Sequence, residues 1–153
     1  MDKRTEFNNA LKEAVKGKDQ IATSTLRLII AALKDRDIEA RGRGHAEGIG
    51  EGEILSMLQS MIKQRQESSK TYRDAGRADL ADREDAEIVV INRYLPKQMS
   101  EDEVKKTVDG LISELGVKDI KEMGKVMAVL KSKYAGQLDM ARASNVIKER
   151  LAG

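Results

Sequence analysis

Cysteine and tryptophan are absent from this 153-residue chain, which also has only one proline, one phenylalanine, three tyrosines and one histidine. Without cysteine there is no disulfide framework, no thiolate nucleophile and no Cys-ligated zinc or iron–sulfur centre. Aromatics at 3% leave few of the residues that favour strands, which excludes an all-β sandwich. They also leave no run of rings on which nucleic-acid bases could stack. The one histidine, His45, lies among glycines, where a flexible backbone is a poor support for a general base, and it is read as incidental. The carboxylates between Asp79 and Glu87 have no His partners, so they are read as an acidic helix start and not as a metal site. No strand precedes a glycine-rich phosphate loop, and no cofactor is expected. Long apolar runs are missing too. Residues 1–18 carry Asp2, Lys3, Arg4 and Glu6, unlike a signal peptide or a membrane span, and a cytoplasmic protein is the expectation.

What remains is rich in helix formers: 40% hydrophobic and 35% charged, with a net charge of +2. Apolar residues recur at helical spacing throughout, which predicts an all-α fold. Phe7, Leu11 and Ala14/Val15 mark a helix over 1–17, with Gly17 as a left-handed stop. Leu26, Ile29, Ile30, Leu33 and Ile38, widened by Leu28, mark a second helix over about 20–39, with Asp19 as its cap. Five glycines between Ala40 and Gly52 predict a mobile loop that neither continues the helix nor buries itself. A long helix then runs from about Glu53 to Ala75, and another from about Ala78 to Tyr94, ended by Pro96.

After Pro96, Ser100-Glu101-Asp102-Glu103 has the form of a capping box, and a domain boundary is placed here, giving domains 1–96 and 97–153. Three short helices are predicted in the second domain, over about 101–115, 120–133 and 140–151. Gly116 stops the first, and Asp119 and Asp139 cap the others.

Two clusters are candidate sites. Residues 1–96 balance 17 Lys/Arg against 17 Asp/Glu, whereas residues 120–153 hold 7 against 3. The basic excess there, with Lys121, Lys125, Lys131, Lys133 and Arg142 around the Gly136 turn, fits either a solvated, dipole-complementing face or a phosphate-contacting patch. The second cluster is Lys63, Gln64, Arg65, Ser68, Tyr72 and Arg77, which precede Asp79, Glu84 and Glu87. It fits an interhelical ion-pair network or a face for a partner or ligand.

Several stretches together resemble one family. They are Thr25-Leu26-Arg27-Leu28 with Lys34, Lys63-Gln64-Arg65-Gln66-Glu67-Ser68, Ala75-Gly76-Arg77-Ala78-Asp79-Leu80, Tyr94-Leu95-Pro96, Met123-Gly124-Lys125-Val126-Met127 and Gly136-Gln137-Leu138-Asp139. Over essentially the whole chain these resemble the YqeY-like proteins, whose C-terminal part is similar to the tail domain of the B subunit of glutamine-dependent aspartyl/glutamyl-tRNA amidotransferases. The resemblance implies an all-helical protein with a small helical tail, and an RNA-binding accessory role in which the tail contacts tRNA or a tRNA–protein complex. A protein-binding accessory subunit of an amidotransferase or another translation component is the alternative. A carbon–nitrogen ligase with glutamine as amido-N-donor is implied by family relation only, since no catalytic constellation stands in the chain. Gln137 departs from the family pattern, in which a Gly-Arg-x-Asp turn is common.

Overall fold

A computed structural model describes residues 2–152. Among these the fold is all-α, with seven α-helices, one 3-10 turn and no strand. The helices are α1 (Lys3–Lys16), α2 (Gln20–Gly42), α3 (Glu51–Asp74), α4 (Ala78–Asn92), α5 (Glu101–Leu115), α6 (Met123–Lys133) and α7 (Met140–Ala152), with the 3-10 turn at Ile120–Glu122. The chain forms two compact units, Met1–Leu95 and Pro96–Gly153.

In the first unit α1 packs on α2, α2 on α4, and α3 on α4. Phe7, Leu26, Ile29, Ile54, Met57, Leu58 and Ile91 are its fully buried large side chains. The Asp2 carboxylate accepts from the Thr5 amide at 2.8 Å, and that of Asp19 from the Ala22 amide at 3.0 Å, so α1 and α2 each start on an acidic N-cap. The stop after α1 differs from the sequence reading, because Lys18 is left-handed (φ 55°) whereas Gly17 is right-handed (φ −78°). The Asp19 amide closes back on the Ala14 carbonyl at 3.0 Å, which sets the left-handed residue one position later than the glycine. The end of the unit is drawn onto α1. Lys3 Nζ donates to the Tyr94 carbonyl at 2.8 Å, and the Phe7 and Tyr94 rings meet edge to face with centroids 5.4 Å apart. Helix α4 ends at Asn92, four residues before Pro96, so the proline follows the stop and does not make it.

The largest departure from the sequence reading lies between residues 37 and 52. Helix α2 runs through to Gly42, so the stretch does continue the helix, and after it the chain stays largely exposed but sinks one side chain, Ile49, which is 5% exposed. The buried face of α2 keeps the expected Leu26, Ile29 and Leu33 but departs from expectation at its edges. Ile38 is 65% and Leu28 47% exposed, whereas Asp37 is 6% exposed. A charged partner explains this. The Arg4 guanidinium forms a fork with Asp37, Nη2 to Oδ1 at 2.7 Å and Nε to Oδ2 at 3.1 Å. The Ile49 amide donates to the same Oδ1 at 2.9 Å. A carboxylate with its lone pairs filled in this way is cheap to bury, and it anchors the glycine-rich segment to the helix.

The second unit packs α5, α6 and α7 around Val104, Val108, Leu111, Val117, Val126, Leu130, Leu138, Ala143, Val146 and Ile147. Both halves of the Ser100–Glu103 capping box form, and Gly116 ends α5 with φ 65°. Asp119 caps the 3-10 turn, accepting from the Lys121 amide at 3.0 Å, and α6 itself starts only at Met123. The Asp139 carboxylate accepts from the Ala141 amide at 2.9 Å.

Candidate functional faces

Helices α3 and α4 are joined at Gly76, whose φ of 75° supplies the left-handed step between them. Arg65 pairs with Glu87, Ser69 with Asp85, and Arg73 with Asp82 and Asp85. From pair to pair the number rises along α3 as it falls along α4, so the helices are antiparallel. The Arg65–Glu87 pair, at 3.1 Å, is nearly enclosed, with side chains 13% and 10% exposed. Arg65 also donates to the Met61 carbonyl at 3.1 Å. The Ser69 hydroxyl donates to Asp85 at 2.7 Å. That bond and then the Arg73 guanidinium hold the Asp85 carboxyl below the usual range. Burial, and then the nearby Glu87, push the Glu84 carboxyl up.

This arrangement divides the first candidate cluster. Arg65 faces α4 and belongs to the ion-pair network. Arg77 is held by Asp79 across two residues, at 3.2 Å, and Lys63 is exposed. Only Gln64, Ser68 and Tyr72 come together, and with Glu67 and Thr71 they line an open groove of about 360 Å³. Residues four apart share a helix face, so Gln64, Ser68 and Tyr72 form one stripe, while Arg65, Ser69 and Arg73 form the adjacent one.

In the second unit, Gly136 turns the chain after α6 with φ 76°. The turn is fastened to the start of the unit: Gln98 Nε2 donates to the Gly136 carbonyl at 2.5 Å, and the Met99 amide donates to the Gln137 carbonyl at 2.7 Å. Gly136 is buried, with its carbonyl already engaged. The basic side chains around it divide by pairing. Lys125 pairs with Glu122 at 3.0 Å, Arg142 with Glu101 and Arg150 with Asp109 at 2.7 Å. Lys121, Lys131 and Lys133 are exposed and form no ion pair within 4.0 Å among the described residues.

His45 is exposed, and its backbone is engaged in turns to Ala40 and Gly48. Among the described residues no three His, Asp or Glu side chains are grouped to hold a metal ion, and no helix is long and apolar enough to cross a membrane. The Arg4–Asp37–Ile49 cluster was missed by sequence reasoning. Its trace in the sequence is a carboxylate at position 37, four residues after Leu33, where the core spacing of α2 calls for a buried side chain.

Fold and faces together define an all-helical protein of two units, one carrying an ion-paired antiparallel hairpin and the other a basic turn. The model of the family described as Yqey-like protein matches residues 4–151, and the chain belongs to that family. Among curated proteins it is similar to altered inheritance of mitochondria protein 41, mitochondrial, from several yeasts. The protein from Lachancea thermotolerans is 29% identical over 117 residues, 75% of this chain and 60% of that protein. The Candida glabrata protein is 32% identical over 85 residues, 56% of this chain and 45% of that protein. The Saccharomyces cerevisiae protein is 29% identical over 116 residues, 72% of this chain and 60% of that protein. The matched part of this chain thus spans between about half and three fifths of the length of these relatives.

Proposed function

We propose that this YqeY-like protein is an RNA-binding accessory protein whose second unit docks on tRNA or a tRNA–protein complex. The observation that carries the reading is the set of exposed lysines at the two ends of the α6 segment, Lys121, Lys131 and Lys133, which have no ion-pair partner among the described residues. A cation already paired with a carboxylate must give up that partner to meet a phosphate, whereas these three release only counterions. Lys125 and Arg142, which the sequence places in the same patch, are engaged by Glu122 and Glu101 and contribute less. With few aromatic residues in the chain, contact is with backbone and shape and not with stacked bases. The relatives are named mitochondrial, and tRNA is present in mitochondria as in the cytoplasm, so the reading holds in either setting.

The test is fluorescence anisotropy of a labelled tRNA pool against the full-length protein over a salt series. Saturable binding is expected, with a logarithmic salt slope that falls by about one for each lysine removed in Lys131→Glu and Lys133→Glu, and by less for Arg142→Glu. No binding at low salt, or identical slopes for all three variants, would reject this assignment. The open Gln64–Ser68–Tyr72 groove then becomes the leading candidate, for a protein partner. That second reading predicts a nuclease-insensitive complex lost in Tyr72→Ala.

A further inference from the structure

The groove between α1 and α2 is lined by Arg4, Phe7, Asn8, Ile30, Leu33, Lys34, Asp37, Ile38 and Arg41, and encloses about 390 Å³. Its composition is unusual for a surface already satisfied by its own fold. Asp37, the groove's one carboxylate, is neutralised by Arg4 at 2.7 Å and capped by the Ile49 amide at 2.9 Å. Lys34 and Arg41 are exposed and form no ion pair among the described residues, although Arg41 Nε donates to the Ala46 carbonyl at 3.3 Å. Arg27 continues the series along α2. Arg27, Lys34 and Arg41 fall at i, i+7 and i+14, two helical turns and about 10.5 Å apart at each step, so they form one stripe. Ile30 and Ile38 flank that stripe on either side of Lys34, and Ile38 leaves 65% of its surface in water. Asp35 lies about a quarter turn further round α2, and Glu39 is paired with Arg43 at 3.5 Å, so neither offsets the positive stripe.

We infer that this groove is a docking site for an acidic amphipathic α-helix of a partner protein. The helix would seat apolar side chains against Ile30 and Ile38 and set carboxylates opposite Arg27, Lys34 and Arg41. A partner helix laid along α2 repeats its side chains with the same seven-residue period, which matches this spacing of cations. The apolar half of the groove favours a protein over a nucleic acid. Exposed isoleucine offers nothing to a phosphate backbone, and the groove's aromatic ring, Phe7, is 0% exposed and unavailable for base stacking. Charge on the partner decides orientation and association rate, and the apolar contacts decide how long it stays. This surface is separate from the lysines of the second unit, and the inference does not rest on their role.

The probe is a fluorescein-labelled designed helical peptide with leucines at i, i+3/i+4 and i+7 spacing and glutamates every seven residues. Its controls are the same peptide with Glu replaced by Gln and a scrambled peptide of equal composition. Binding to the full-length protein is read by anisotropy, and the contact surface by amide chemical shifts. Saturable binding is expected, with shifts centred on Asn8, Ile30, Lys34, Ile38 and Arg41. Affinity should fall about tenfold or more in Lys34→Glu and in Ile38→Asp, and for the Gln peptide. Both substituted side chains are exposed, and far-UV circular dichroism checks that the helices persist. The shift map on the unaltered protein decides the matter even if a variant misfolds. The inference is overturned by no saturation up to about 1 mM peptide, by equal binding of the scrambled peptide, or by shifts that map elsewhere. Displacement of the peptide by a tRNA pool whose own affinity falls in Lys34→Glu also overturns it, since the face would then belong to RNA.

Discussion

The Asp37 carboxylate receives the Arg4 guanidinium and the Ile49 amide on one and the same oxygen, at 2.7 and 2.9 Å. Three segments distant in sequence, the start of α1, the late part of α2 and the glycine-rich connection, thus meet at one atom. Arg4 adds a third tie by donating to the Ile49 carbonyl at 2.9 Å. Replacement of Asp37 by Asn removes the charge of the fork and is expected to cost about 1–3 kcal/mol in urea unfolding. The Arg4 hydrogen bond, and after it the Ile49 amide, outweigh burial and hold the Asp37 carboxyl below its ordinary range. A carboxylate lowered in the folded state stabilises above its unfolded pKa of about 3.9 and loses that contribution as pH falls through the lower folded value. The stability difference between the native protein and Asp37→Asn should therefore be full at pH 6 and shrink below about pH 4. A difference unchanged down to pH 2 would show that the fork is not the cause.

Gly48 is the position at which this cluster leaves no room. Its φ is +84°, and an added Cβ would lie 2.3 Å from Asp37 Oδ1 and 3.0 Å from Arg4 Nη2. Gly48→Ala should destabilise the protein by about 1–3 kcal/mol from backbone strain, with the displaced fork adding to it. Gly42→Ala is the contrast. It stands in α2 with nothing within 4 Å of a Cβ and should be neutral or stabilising by up to about 1 kcal/mol. Thermal denaturation of the two variants side by side tests whether the glycines of this stretch differ as the structure says.

The Arg65–Glu87 pair crosses the α3–α4 hairpin nearly out of water. Arg65→Ala leaves Glu87 enclosed without its main partner, Arg83 being 4.0 Å away and largely exposed, and should cost about 3–5 kcal/mol. The double change Arg65→Met with Glu87→Leu should recover most of that loss, because well-packed apolar groups replace a buried pair at little cost. A double-mutant cycle by chemical denaturation gives the coupling directly.

Thr25 is 0% exposed, and its hydroxyl has no hydrogen-bond partner among the described residues. An unsatisfied buried hydroxyl is a standing cost, so Thr25→Val, similar in shape and without the polar atom, should raise stability by up to about 1–2 kcal/mol. A loss on this substitution would reveal a bond to the Thr25 hydroxyl. If stability rises while RNA or partner binding falls, Thr25 is retained for function at the expense of the fold.

Much of this was open to inspection in the sequence. Helix periodicity follows from local backbone geometry, so the Leu26–Ile29–Leu33 and Val104–Val108–Leu111 stripes announced their helices, and both become buried stretches of core. Capping is local too: Ser100 with Glu103, Asp19 and Asp139 hydrogen-bond within three residues, and each was identified by residue type and spacing alone. The charge bias of residues 120–153 is likewise countable without coordinates.

Tertiary structure decided whatever depends on partners distant in sequence. Ile38 has the residue type of a core position and lies outside, while Asp37 has that of a surface position and lies inside. Arg4, 33 residues earlier, makes the difference by supplying the countercharge that lowers the cost of burying a carboxylate. The same fork turns a run of glycines from a freely moving loop into an anchored segment. Pairing across the fold also engages Arg142 with Glu101 and Arg150 with Asp109, while Lys121, Lys131 and Lys133 stay without an ion pair among the described residues. The sequence determines the helices because they are built from neighbours. Which charges are buried, paired or free is decided by ion-pair geometry between residues brought together only in the folded chain.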